Sequence, residues 1–200
     1  MKLIFATNNR HKVEEMQAAI GSAFQLITLR DAGIDIDIPE PHDTLEANAS
    51  EKSHTIHRLT GMDCFSEDTG LETEALNGEP GVKSARYASP EPAERASDDK
   101  ASEKNMEKLL ARMQPHANRK ARFRTVISLI LDGKEYLFEG ICPGVIETAP
   151  RGNGGFGYDP IFTPEGAQQT FGEMSLEQKS RYSHRRRAAD QLVSFLQRRR

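Results

Sequence analysis

Cysteine is scarce in this chain of 200 residues: there are two, Cys64 and Cys142, far apart in sequence and forming no CxxC pair. Their spacing indicates neither a zinc site nor a disulfide framework, and it fits a reducing compartment. Long apolar runs are missing too. MKLIFATNN turns polar after a brief apolar start, and no window approaches the roughly 20 apolar residues of a membrane span, so the cytosol is the expected location. A dominant charge of either sign is also absent. A formal charge of -3 and a pI near 6.1 give no global pull towards nucleic acid, although RRR at 185–187 and again at 198–200 makes the C-terminus locally basic. No repeat or flexible linker interrupts the chain. What is present, 36% apolar and 28% charged residues, describes an ordinary chain able to bury a core, and one domain over residues 1–200 is the expectation.

KLIFA, residues 2–6, reads as a buried strand that breaks into the polar turn TNNRHK. Val13, Met16 and Ile20 then recur at helical spacing, so the opening unit is strand, polar loop, helix. FQLITL at 24–29 supplies a second strand. Asp43, with Glu46 three residues on, is the expected capping box of a helix that keeps Leu45, Ala49, Ile56 and Leu59 roughly on one face as far as Gly61. SDDKASEKNMEKLLARM, residues 97–113, reads as a helix with Met106, Leu109, Leu110 and Met113 inward. ARFRTVISLIL and KEYLFEGI are joined by Asp132-Gly133, a strong hairpin signal that predicts two long antiparallel strands. The closing SHRRRAADQLVSFLQRR is helical, with Ala188, Leu192, Phe195 and Leu196 on one face. The whole reads as α/β with a mixed sheet.

Several stretches can carry chemistry. TNNRHK lies between a strand and a helix, where backbone N–H groups can meet an anion and Lys12 adds charge, although the Walker sequence is absent. GNGGFG at 152–157 satisfies GxGxxG formally, but Tyr158, Asp159 and Pro160 lead to a strand-like stretch rather than the helix a dinucleotide fingerprint requires. The glycines allow close approach to a ligand, while Phe156 and Tyr158 either stack a flat ring or belong to the core. In CFSEDTGLE, Glu67 and Asp68 stand where a strand is expected to end. Neighbouring acids on a strand leave by opposite faces, so they can share a cation only if the chain turns, as Thr69-Gly70 allows; otherwise they are solvated loop acids. Ser183 is placed to cap the last helix, with His184 and Arg185 in its first turn. Cations there call for a compensating anion, which a nucleotide would supply, unless the pair is simply at the surface. His54 and His57 lack an acidic or cysteine partner at metal-binding spacing and read as solvated.

ATNNRHK, SEDTGLETEALNGEPGVKSARYA, GGFGYDPIF and KSRYSHR follow one another in this order. Together they resemble the inosine/xanthosine triphosphate pyrophosphatase family, the house-cleaning nucleotide hydrolases also called Ham1-like or RdgB-like proteins, over Leu3 to Arg187. The resemblance implies an elongated, two-lobed α/β fold with a central mixed sheet flanked by helices, a cleft between the lobes, and a homodimer. It also implies magnesium-dependent hydrolysis of ITP, dITP and XTP to monophosphate and pyrophosphate. Carried over by position, the phosphate loop falls on Thr7, Asn8, Asn9, Arg10, His11 and Lys12, with Asn8 where many members have glycine. The acidic pair falls on Glu67 and Asp68; many members have two aspartates, so Glu67 lengthens one arm. Asp68 matches the general base and metal ligand. Glu40 matches a further metal-binding acid, with prolines around it in place of the commoner Glu-Thr-Gly, so the implied metal set is Glu40, Glu67 and Asp68. Lys52 matches a basic position and Thr69 a substrate-contacting hydroxyl. Phe156, Gly157, Tyr158 and Asp159 match the base-recognition segment, Lys179 a substrate lysine, and His184 with Arg185 the SHR element.

On this resemblance, Asp68 with Glu40 and Glu67 would hold magnesium against the triphosphate and orient a water at the α-phosphorus. Lys12, Lys52 and the helix start beside Thr7 would stabilise the leaving pyrophosphate, and Lys179 or Arg185 would complete the clamp. Two rivals stand beside it. A non-catalytic nucleotide- or RNA-binding regulator would draw on the basic C-terminus, though the three acids would repel a polyphosphate unless a cation intervened. A hydrolase of the same fold could instead act on canonical or modified pyrimidine nucleotides.

Overall fold

The computed structural model describes residues 1–89 and 98–199; Ser97, at the head of one predicted helix, and Arg200, last of the second RRR run, lie outside them. Seven strands form one mixed sheet in the order β2-β1-β3-β5-β6-β7, with the short β4 on β3. The strands are β1 (Lys2–Phe5), β2 (Gln25–Thr28), β3 (Cys64–Thr73), β4 (Pro80–Gly81), β5 (Lys120–Leu131), β6 (Lys134–Ile146) and β7 (Phe162–Pro164). The helices are α1 (Arg10–Ile20), α2 (Leu45–Thr60), α3 (Asp98–Met113), α4 (Leu176–Ser180) and α5 (His184–Gln197). The chain divides into two compact units, one of Met1–Asp68, Thr125–Gly140 and His184 onward, the other of Thr69–Arg124 and Ile141–Ser183.

In the first unit β1 pairs in parallel with β2 and with β3, aligning Leu3 with Leu26 and Phe5 with Phe65. Strand alternation sends Leu3 and Phe5 into one core, with Met16 of α1, Phe65, Ile127, and Ala188 and Leu192 of α5. Ile4 goes to the other face, with Leu29, Cys64, Ile130 and Ile56 of α2. Phe5 and Phe65 stack at 4.5 Å between centroids. The hairpin forms as the Asp-Gly signal predicts. Asp132 and Gly133 both take positive φ, 50° and 71°, the geometry whose twist matches that of flanking antiparallel strands.

Three expectations are corrected here. Thr44, not Asp43, caps α2: it is extended and its hydroxyl accepts from Ala47 N at 3.2 Å, which leaves Glu46 in the first turn. Leu59 is 58% exposed, because the buried stripe of α2 ends at Ile56. Most important, β3 does not turn at Thr69-Gly70 but continues to Thr73.

The second unit has its own core, in which Leu71, Leu109 and Met113 of α3, Phe123, Phe162 and Phe171 meet. There β4 and β7 pair antiparallel with β3 and β6. The Gly-rich stretch before β7 opens no long helix; Asp159–Ile161 is one 3-10 turn leading into the strand. Both cysteines are buried and free.

Candidate active site

The unbroken β3 decides how the two acids are used. Consecutive strand residues leave by opposite faces, and Glu67 and Asp68 accordingly meet different partners. Asp68, buried, accepts from Lys52 Nζ at 3.2 Å and from Asn48 Nδ2 at 3.4 Å, and Lys52 is also hydrogen-bonded to Glu40. Asn48 and Lys52 stand one turn apart on α2, so helical spacing delivers an amide and an ammonium to the same carboxylate. Burial pushes the Asp68 carboxyl above its ordinary range, Lys52 pulls against this, and Glu40 adds to the rise. Burial alone would lower Lys52, but Asp68 and Glu40 overcome it and hold the amine charged.

Glu67 sits in a separate ion-pair network. Arg185 takes it in a two-pronged fork, Nε to Oε2 at 2.6 Å and Nη2 to Oε1 at 2.8 Å, and Lys12 Nζ lies 3.3 Å from Oε1. Arg185 is also hydrogen-bonded to Glu15. Burial would raise Glu67, but Arg185 and then Lys12 outweigh it and hold the carboxyl at about 2. Thus the anion expected opposite the first turn of α5 is supplied by the protein. His184 and Arg185 are both buried rather than a surface pair. The three acids named for a metal are not gathered in one place. Glu40 and Asp68 face each other across Lys52, and among the described residues no group of three His, Cys, Asp or Glu side chains comes together as a metal cluster.

The phosphate loop folds around its own hydrogen bonds. Asn9 caps α1, its side chain accepting from Lys12 N at 3.0 Å; Thr7 Oγ1 accepts from Asn9 N at 3.2 Å; Asn8 Nδ2 donates to Ile36 O at 3.0 Å. Arg10 pairs with Glu14, which also faces His11 at 3.9 Å.

In the second unit, Asp159 accepts from Phe156 N at 2.9 Å and from the buried Lys179 Nζ at 2.5 Å. Lys179 Nζ also lies 5.1 Å from the centre of the half-buried Phe156 ring. Tyr158 is core: its hydroxyl donates to Ser84 O at 2.9 Å, and burial pushes its pKa up. Gly157 takes positive φ, 63°, and Thr69 is half-buried on β3. His54 Nε2 lies 3.4 Å from Glu135, and His57 Nδ1 is 2.8 Å from Met62 O.

Sequence reading missed Glu15 and Asn48. Each carried a signal, since Glu15 lies three residues after Lys12 and Asn48 four before Lys52, on the same helical faces.

A mixed α/β protein that gathers carboxylates with a lysine and an arginine beside the starts of two helices has the charge layout of enzymes that handle anionic substrates. Solved structures sharpen this. The Staphylococcus aureus Ham1 protein superposes with a TM-score of 0.85 at 34% identity, covering 100% of both chains. The dITP/XTP pyrophosphatase of Mycobacterium abscessus gives 0.73 at 36%, covering 96% of this chain and 98% of its own. The Ham1 family model matches residues 3–195, and this chain belongs to the Ham1 family. Among curated relatives, the dITP/XTP pyrophosphatase of Flavobacterium johnsoniae is 45% identical over 196 residues, 98% of each chain. That of Porphyromonas gingivalis is 47% identical over 197 residues, 98% of this chain and 97% of its own.

Proposed function

We propose that this chain is a dITP/XTP pyrophosphatase, hydrolysing ITP, dITP and XTP to the monophosphate and pyrophosphate with a divalent cation. The observation that carries the reading is the buried Asp68, held by Lys52 and Asn48 opposite Glu40, in a chain with full-length relatives named for this activity. Two carboxylates suit magnesium, which takes one or two protein oxygens and completes its shell with phosphate and water. Glu40 and Asp68 would hold it, while Glu67 keeps its arm for Arg185 and Lys12. When bound, the cation neutralises phosphate charge and acidifies water.

Asp68 takes the proton from a water that attacks the α-phosphorus. The bond from that phosphorus to the bridging oxygen breaks, and pyrophosphate departs. Lys52 and Lys12 neutralise charge on the leaving oxygens, and Thr7 to His11 shape the loop that receives the phosphates. Arg185 fixes Glu67, and through it Lys12. Base choice falls to the Phe156 to Asp159 segment, with Phe156 stacking on the purine and Lys179, Thr69 and His184 as further substrate groups. N–H donors facing position six accept a carbonyl and reject an amino group, which would leave buried polar groups unpaired. The reading extends to a homodimer working in the cytosol, one catalytic domain over 1–200; no helix among the described residues is long and apolar enough to cross a membrane.

With ITP and magnesium, pyrophosphate is the expected product, so a malachite-green assay gives colour only when inorganic pyrophosphatase is added. Phosphate without that helper would refute the assignment. Asp68→Asn is expected to abolish turnover while the protein remains folded by circular dichroism.

A further inference from the structure

Helix α2 meets the sheet along three adjacent stripes, each of two residues one turn apart. Asn48 and Lys52 face Asp68. Ala49 and Ser53 face the sheet: Ser66 Oγ donates to Ala49 O at 2.5 Å, Cys64 Sγ lies 3.2 Å from Ser53 O, and Ser53 Oγ lies 2.6 Å from Ser128 Oγ. Ser50 and His54 face Glu135, at the start of β6. Ser50 Oγ donates to Glu135 Oε1 at 2.5 Å, Ser128 Oγ donates to the same oxygen at 2.7 Å, and His54 Nε2 lies 3.4 Å from Oε2. Successive residues of a helix lie about 100° apart, so the first and third stripes flank the second on opposite sides. The buried face of the helix thus runs through Leu45, Ala49, Ser53 and Ile56, with one carboxylate gripping each flank. A single buried face leaves a helix some freedom to roll about its axis, and contacts on both flanks restrict it.

We propose that Glu135 is a positioning residue for hydrolysis, setting the roll of α2 and so the placement of Lys52 and Asn48 at Asp68. The proposal rests on the reading of Asp68 and Lys52 given above. Reactive groups are sensitive to displacements of about 1 Å, which can cost on the order of 100-fold in rate. A partial loosening of one clamp is expected to cost about 10-fold.

The test is steady-state hydrolysis of ITP at a temperature where every variant is folded. Glu135→Ala is expected to lower kcat about 10-fold with KM little changed. Ser50→Ala combined with His54→Ala, which removes the helix side of the clamp, is expected to reproduce the loss. Glu135→Gln, which keeps an oxygen for both hydroxyls, is expected to recover most of the rate. The decisive comparison is a double-mutant cycle with Lys52→Ala: a group acting through Lys52 and Asn48 keeps only the Asn48 arm in that background, so Glu135→Ala should add far less than the loss it causes in the wild type. A kcat unchanged by Glu135→Ala, or a loss that multiplies fully with that of Lys52→Ala, overturns the proposal. Asp68→Asn is measured alongside. Wild-type turnover there would sink the assignment of function itself, whereas an inactive Asp68→Asn beside a fully active Glu135→Ala sinks only the positioning role.

Discussion

Arg185 holds a full charge where water cannot screen it, and Glu67 and Glu15 supply opposite charges in contact with it. Removing Arg185 would leave the buried Glu67 with Lys12 as its remaining described partner and Glu15 without the guanidinium. Arg185→Met is expected to lower stability by about 3 to 5 kcal/mol in urea unfolding. Glu67 gives the same network a pH signature. Its carboxyl lies at about 2 in the folded protein against an ordinary 4.5, so the folded state favours the ionised form. That stabilisation is complete above 4.5 and is lost as pH falls towards 2, because the unfolded chain takes up the proton first. Urea midpoints at pH 6 and pH 3 should differ less in Glu67→Gln than in the wild type. Little of this network was legible in advance. The need for an anion beside Arg185 follows from the helix start, but Glu67 lies 118 residues away and Glu15 lies 170 away, distances over which no local pattern speaks.

At the level of elements, what is local was legible. Asp132-Gly133 encodes its turn because positive φ at two consecutive positions suits few other residues, and α1 declares itself through Met16 and Ile20. What depends on neighbours was not. Glu67-Asp68-Thr69-Gly70 looks like a strand end, yet pairing on the sheet carries β3 through it. Asp43 and Thr44 are both good caps, and the chain uses Thr44. The contact of β6 with α5 is likewise hidden in sequence and offers a test. A Cβ on Gly140 would lie 2.0 Å from His184 O and 2.6 Å from Ala188 N, both backbone atoms that cannot swing aside. Gly140→Ala is therefore expected to displace α5 and cost about 1 to 3 kcal/mol, seen as a lower urea midpoint.

For the whole molecule, the proposed chemistry makes the cation and the assembly measurable. Chelation with EDTA is expected to stop ITP hydrolysis and added magnesium to restore it; turnover that survives exhaustive chelation would contradict the roles given to Glu40 and Asp68. Sedimentation is expected to give twice the 22.3 kDa of one chain. The fold class was readable at this scale because hydrophobic periods and turn residues agree along the chain. Two lobes were expected only through the family resemblance; no local signal marks the division into two compact units, since β3, β5 and β6 each contribute to both and leave no linker.

An uninterrupted β3 behaves as a partition between two electrical compartments, one tuned by Lys52 and the other by Arg185. Lys12 is felt on both sides, pairing with Glu67 and also lowering Asp68. On the proposed mechanism, an anion that draws Lys12 towards itself would retune both acids at once, so that the arrival of polyphosphate would reach the proposed base with no movement of the strand that carries it.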